Sequence, residues 1–401
     1  MRLTIALLSM LSGCATIRDQ THDDAPPVAQ VGVAFDQGGE VGSFADGLAD
    51  PQSSRAITPD DPARVASITK LFVAIGIMRL VEQGRLDLDS DVSAKLGWRL
   101  RNPAFPARPI SARMLLSHTS SVRDGIDYWA IPLGASIEGS VADAKVWDDR
   151  HPPGGYFTYS NLNFPILASL VERITGERFD RWMRAEVLAP MRLDACLNWS
   201  GCSDEAIARA VVLMQDGKTV RDDLGGKRPE CPAVPGEDGS CDLSRWRAGE
   251  NGALFAPQGG LRISARGLAR AGRMLLNGGT LDGVRILSPQ SVDTLLSPAW
   301  RFNGSNGDTD HGYYCSYGLA SQQMPARMPG CNDDPAGDGI GRVGHSGDAY
   351  GLRSGLWIDR ASRTGVAYFV TGLAESPPRG RSAYRTAEEA ALTRSLELLR
   401  R

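Results

Sequence analysis

The sequence predicts an α+β fold, with one antiparallel sheet built from both ends of the chain, flanked by helices, and a mainly helical lobe inserted between. Two observations carry this prediction. Strand patterns occur near the start, at 29–35 and 40–45, and return near the end, at 341–347, 350–359 and 365–372. The stretch between, about 85–270, mixes short helical patterns with loops rich in Gly and Pro. Strands at both termini around a helical middle suit a single sheet with a lobe inserted into it, and the seam of two lobes is a ready-made cleft.

With 401 residues, the chain is long enough for one large domain or two lobes. At 42% hydrophobic and 23% charged residues it reads as an ordinary globular protein. A net charge of -3 without a basic stripe gives no purchase for nucleic acid. No Cys/His spacing of the zinc type occurs, so neither a metal nor another cofactor is expected.

The first residues read as an export signal. Arg2 precedes a short apolar run ending in Leu11-Ser12-Gly13-Cys14, too short to span a bilayer. The four-residue end resembles the lipobox of bacterial lipoproteins. That implies removal of residues 1–13, lipid on the thiol and amine of Cys14, and a polar tether over 14–28 with Pro26-Pro27. The competing reading is an ordinary signal peptide cut nearby, with Cys14 incidental. An anchored protein would face the periplasm, and Ala15 after the cysteine is compatible with the outer membrane if the cell is Gram-negative.

Residues 29–401 then form the folded domain. The turn Asp36-Gln37-Gly38-Gly39 joins the first two strands, and Thr58-Pro59-Asp60-Asp61 is another turn. A strong helix is expected over 67–83, stopped by Gly84. The stretch 216–252 reads as loop, 261–277 as helix, and 386–400 as a final amphipathic helix. Six cysteines remain after Cys14, an even number suited to an oxidising compartment. Each falls near one partner in sequence, giving the pairs Cys196–Cys202, Cys231–Cys241 and Cys315–Cys331.

Three short motifs carry the chemistry. Ser67-Ile68-Thr69-Lys70 is the single S-x-x-K in the chain, and Lys70 is one of only five lysines beside 39 arginines. The i, i+3 spacing puts hydroxyl and amine on one helix face. A serine hydroxyl needs such a partner to act as a nucleophile, and a buried lysine is driven toward its neutral form. Alone, the motif also fits a helix cap beside a solvated lysine. Tyr159-Ser160-Asn161 is the only Y-x-N among nine tyrosines. A phenol beside an ammonium can relay a proton, and the Asn161 amide can pair with a substrate amide. Gly344-His345-Ser346-Gly347-Asp348 holds the only H-x-G among five histidines, on an expected strand. A strand edge there can pair with an extended substrate, Gly347 permits close approach, and the Asp348 and Ser67 backbone amides suit an oxyanion hole.

In this order, S-x-x-K, Y-x-N and H-x-G resemble the signature motifs of the serine β-lactamase and penicillin-binding-protein superfamily. The resemblance is to its branch of class C β-lactamases, D-alanyl-D-alanine carboxypeptidases, D-aminopeptidases and esterases. Leu115-Leu116-Ser117-His118-Thr119-Ser120-Ser121 is similar to that branch's L-L-x-H-T-S-G stretch, with Ser121 in place of Gly. Gly259-Gly260-Leu261 and the strands at 343–372 also fit, so the likeness runs from about residue 29 to the end.

The resemblance implies a β-lactamase/transpeptidase-like fold and acyl transfer. Ser67 would be the nucleophile, and Lys70 and Tyr159 would share the proton traffic, with either as base. Asn161, His345, Ser346, Gly347 and Asp348 would bind the substrate, and His118 would be structural. The substrate is expected to be a small ester or a peptidoglycan-type peptide. The third motif carries His345 where dedicated β-lactamases carry Lys, and no K-x-G follows the second motif. A His is only partly charged near neutrality, so a carboxylate held by it would bind more weakly as pH rises from 6 to 8. Two alternatives are a non-catalytic envelope protein that keeps the pocket for binding, and a true β-lactamase.

Overall fold

A computed structural model describes residues 27–400. The export signal, Cys14 and most of the tether lie outside the described residues. The sheet has nine strands: β1 (Ala29–Asp36), β2 (Glu40–Asp50), β3 (Arg55–Ala56), β4 (Trp300–Arg301), β5 (Ser316–Tyr317), β6 (Gln322–Met324), β7 (Arg342–Ala349), β8 (Leu352–Asp359) and β9 (Thr364–Thr371). Their order is β4-β5-β6-β7-β8-β9-β1-β2-β3, antiparallel throughout. The first and last segments of the domain therefore meet at β1 and β9, as the strand patterns at the two ends predict.

Both faces of this sheet are covered, and side-chain alternation shows how. On β8 and β9, Leu356, Ile358, Ala367 and Phe369 point into the larger core with β1 residues Val31, Val33 and Phe35. Trp357, Val366, Tyr368 and Val370 point the other way, into a smaller core closed by Ala391 and Leu392. The helix α1 (Thr69–Glu82), α2 (Asn163–Thr175) and α3 (Ala265–Leu276) belong to the larger core, while α4 (Thr386–Glu397) closes the smaller one. Close packing of α3 depends on Gly272, since a Cβ there would lie 2.3 Å from the Phe35 ring.

α1 is apolar on nearly all sides, with 11 of its 14 residues buried, including Lys70. Gly84 ends it at φ +68°, a conformation that costs glycine little. Two expectations change. The segment 261–277 opens as a strand, Leu261–Ile263, because it pairs with Ala63–Arg64 and Cys196–Leu197 before α3 begins. The supposed loop at 216–252 starts with a hairpin joining Leu213–Gln215 to Lys218–Arg221. The three cysteine pairs are joined as disulfides in the expected pattern.

Candidate active site

Ser67 lies in a 3-10 turn, Ala66–Ile68, that leads directly into α1. Ala66 holds φ +49°, an uncommon value for a residue with a side chain, in the turn that presents Ser67. The turn is fixed by two bonds: Thr69 Oγ1 donates to the Ala66 carbonyl at 2.6 Å and accepts from the Leu261 amide at 3.0 Å. One helical turn on, the Lys70 side chain is fully buried. Its Nζ donates to Ser67 Oγ at 2.9 Å, Asn161 Oδ1 at 2.8 Å and the Gln258 carbonyl at 2.7 Å. No carboxylate is among these partners, and burial lowers the Lys70 pKa to about 7, an effect that Asp124 opposes from further off. Near neutrality, a substantial fraction of Lys70 is therefore an amine able to take a proton.

The second motif precedes α2. The Tyr159 ring stacks on His118 at 4.3 Å and on Tyr314 at 4.7 Å, and Lys70 Nζ sits 5.0 Å from its centre. Burial raises the Tyr159 pKa above the ordinary value, and nearby Ser67 only partly offsets this. Its hydroxyl is buried beside the Ser67 and Tyr314 hydroxyls, and desolvation keeps it protonated and able to serve an incoming group. His118 is buried, and desolvation holds its pKa well below normal. Its Nδ1 accepts the Ser160 amide at 3.0 Å. That geometry fits the structural role expected of it: a neutral platform for the tyrosine.

Asp124 is a residue that sequence reasoning missed. Its carboxylate accepts the Ser160 hydroxyl at 2.9 Å, the Asn161 and Leu162 amides at 3.0 and 2.9 Å, and Asn161 Nδ2 at 2.8 Å. It thereby fixes the amide so that Oδ1 faces Lys70. Nothing in the local pattern around Asp124 signals this. Asp124→Asn should lower kcat by roughly 10²-fold through misplacement of Asn161. It should also move the acid limb of kcat/KM below pH 7, because the group that raises the Lys70 pKa is gone. An unmoved limb in a pH profile would count against this positioning role.

The third motif lies on β7. β6 pairs only with residues 342–344, so from His345 onward that side of β7 has no neighbouring strand among the described residues. Ser346 and Asp348 line a cleft of about 420 Å³ together with Ser67, Tyr159, Asn161 and Tyr313. The Ser346 and Tyr313 hydroxyls are hydrogen-bonded, and Asp348 is ion-paired with Arg353. Gly347 brings β7 against the segment before Ser67, where a Cβ would lie 2.3 Å from the Val65 carbonyl oxygen.

His345 departs from the expectation of a partly charged substrate holder. Its side chain is fully buried, pairs through Nε2 with the Tyr317 hydroxyl at 2.7 Å, and is not part of the cleft wall. Burial first, then the nearby Lys70 charge, lowers its pKa to about 3. It is neutral across pH 6–8, so the weakening of carboxylate binding over that range has no source in His345. The chain's K-x-G triplet, Lys95-Leu96-Gly97, ends a short helix elsewhere and takes no part in the cleft.

A family model described as Beta-lactamase matches residues 20–391. Esterase EstB of Burkholderia gladioli is 26% identical over 378 residues, covering 88% of this chain and 88% of its own. Penicillin-binding protein 4 of Amycolatopsis lactamdurans is 28% identical over 271 residues, 66% of this chain and 64% of that protein. The fold is shared with the D-amino acid amidase from Ochrobactrum anthropi SV3 complexed with L-phenylalanine. The TM-score is 0.65 at 19% identity, over 93% of this chain and 94% of that one.

Proposed function

Since the chain belongs to the β-lactamase family and is a serine hydrolase, we propose that it cleaves carboxylic esters or D-amino-acid amides and peptides through an acyl-enzyme on Ser67. The observation that carries this reading is the buried Lys70, hydrogen-bonded to the Ser67 hydroxyl with a pKa near 7. Neutral Lys70 takes the Ser67 proton as the hydroxyl oxygen attacks the carbonyl carbon. The resulting oxyanion is held by the backbone amides of Ser67 and Asp348. Tyr159, kept protonated by burial, passes its proton to the leaving alcohol or amine and regains one from Lys70. Water then attacks the acyl-enzyme along the reverse proton path. Asn161 orients the substrate amide or carbonyl.

The same reading includes export and anchoring through lipidated Cys14 on the periplasmic side of the envelope. The three disulfides support an oxidising compartment. The neutral His345 supports placing ester and D-amino-acid amide hydrolysis ahead of β-lactam hydrolysis.

Intact-mass time courses with benzylpenicillin and with 4-nitrophenyl butyrate, on the protein and its Ser67→Ala variant, test this. An acyl adduct or ester turnover that disappears in the variant is the expected result. A persistent penicilloyl adduct would point to peptide substrates, and ester turnover without that adduct to an esterase. Retained labelling or turnover in Ser67→Ala would overturn the assignment of the nucleophile.

A further inference from the structure

We infer that the substrate carries a second, unreacting carboxylate and that Arg64, three residues before Ser67, binds it. The inference rests on Ser67 as the nucleophile and concerns what lies beside it. Arg64 ends the two-residue strand Ala63–Arg64, opposite Arg262 of Leu261–Ile263. It lines the cleft above Ser67 and also a neighbouring cleft of about 390 Å³, the two sharing Arg64, Trp129, Gln258 and Tyr350. The guanidinium therefore sits at the junction of the reacting site and an adjacent space.

Among the described residues no carboxylate is hydrogen-bonded or ion-paired to the Arg64 guanidinium, although Asp222 lies near enough to act on it electrostatically. Arg64 is only 9% exposed, and its Nε is buried without a hydrogen-bond partner. Its guanidinium carbon lies 5.1 Å from the centre of the Tyr350 ring, and Arg221 lies over the same ring at 4.7 Å. The nearby carboxylate, Asp222, accepts from Arg262 at 2.8 Å and from the Trp199 indole at 3.0 Å through Oδ1, and its buried Oδ2 makes no hydrogen bond to Arg64. Arg64, Arg221 and Arg262 thus share one buried carboxylate on the wall of the neighbouring cleft. Burying an unpaired cation is costly, and a planar guanidinium matches a carboxylate through two parallel N–H donors.

Other cations of the cleft are engaged or exposed. Arg353 is paired with Asp348, Arg385 donates to the Pro377 carbonyl at 3.0 Å, and Arg379 is exposed. His345 is neutral. Arg64 is thus the buried cation on the wall with capacity for a substrate anion.

The test compares 4-nitrophenyl hydrogen adipate with 4-nitrophenyl hexanoate, on the full-length chain in detergent micelles. The wild type should favour the adipate monoester. Arg64→Met should lower the adipate-to-hexanoate ratio of kcat/KM about tenfold or more, through KM. Arg64→Lys should lower it less, and Arg221→Met, at an exposed position, should lower it a few-fold. A calorimetric titration of adipate into Ser67→Ala, with and without Arg64→Met, reads binding without catalysis and should lose its signal with Arg64. An unchanged ratio in Arg64→Met and Arg221→Met, or adipate binding indifferent to Arg64→Met, would overturn the inference. If neither ester is turned over, the esterase reading fails, and the titration decides Arg64 on its own.

Discussion

Ser67→Ala and Lys70→Ala should each lower kcat/KM for a turned-over ester by about 10³- to 10⁴-fold, and the double variant should be little slower than the worse single one. The reason is shared function. Lys70 Nζ is 2.9 Å from Ser67 Oγ, so removing either group ends the same proton transfer. The residual rate comes from the oxyanion donors and substrate positioning, which neither substitution touches directly. Independent contributions would instead multiply the two losses, and that outcome would remove Lys70 as the partner of Ser67.

The wild-type pH profile carries the sign of this mechanism. Lys70 acts as the neutral amine, so kcat/KM should rise with pH through about 7 and level off above it. Lys70→Ala should abolish that limb. Tyr159 gives no competing limb in this range, because burial keeps its phenol protonated. Stability follows the same shift. The folded-state pKa of Lys70 lies below its unfolded value of 10.5, so between about pH 7 and 10.5 the unfolded chain holds the extra proton. The Lys70 contribution to stability is least favourable below pH 7 and improves as pH rises across that window. Urea midpoints for the wild type against Lys70→Met from pH 6 to 10 would read it.

What was legible in the sequence is what depends on neighbours along the chain. Ser67 and Lys70 meet because i and i+3 share a helix face, Gly84 ends α1 through its own φ, and each cysteine pair closes a short loop. The strand patterns at both ends gave the sheet because alternation survives without knowing the partner strand. Groups brought in from afar were not legible. Asp124 organises Asn161 from 37 positions upstream, and the Gln258 carbonyl reaches Lys70 from 188 positions downstream. The neutrality of His345 depends on burial and on Tyr317, neither visible in the triplet that contains it. The start of 261–277 is a strand for the same kind of reason, since its pairing with 63–64 and 196–197 overrides a helical pattern.

Gly347→Ala should destabilise the fold by about 2–3 kcal/mol and lower kcat/KM of the folded protein by roughly 10²-fold. A Cβ there would lie 2.3 Å from both Ser354 Oγ and the Val65 carbonyl oxygen. Ser354 can rotate, although it would give up its 3.0 Å hydrogen bond to that same carbonyl. The Val65 carbonyl is backbone, two residues before Ser67, and cannot withdraw without carrying the nucleophile turn with it. The overlap therefore becomes a displacement of β7 from Ser67, which separates the two proposed oxyanion amides. Gly344→Ala is the control. Its Cβ would lie 1.8 Å from the Leu356 carbonyl oxygen, a clash on the same strand but against β8. Urea unfolding should place both variants below the wild type, whereas kcat/KM corrected for the folded fraction should fall further for Gly347→Ala. Equal losses would reduce Gly347 to a packing position. A selective loss would tie the close approach of β7 and the Ser67 turn to transition-state stabilisation.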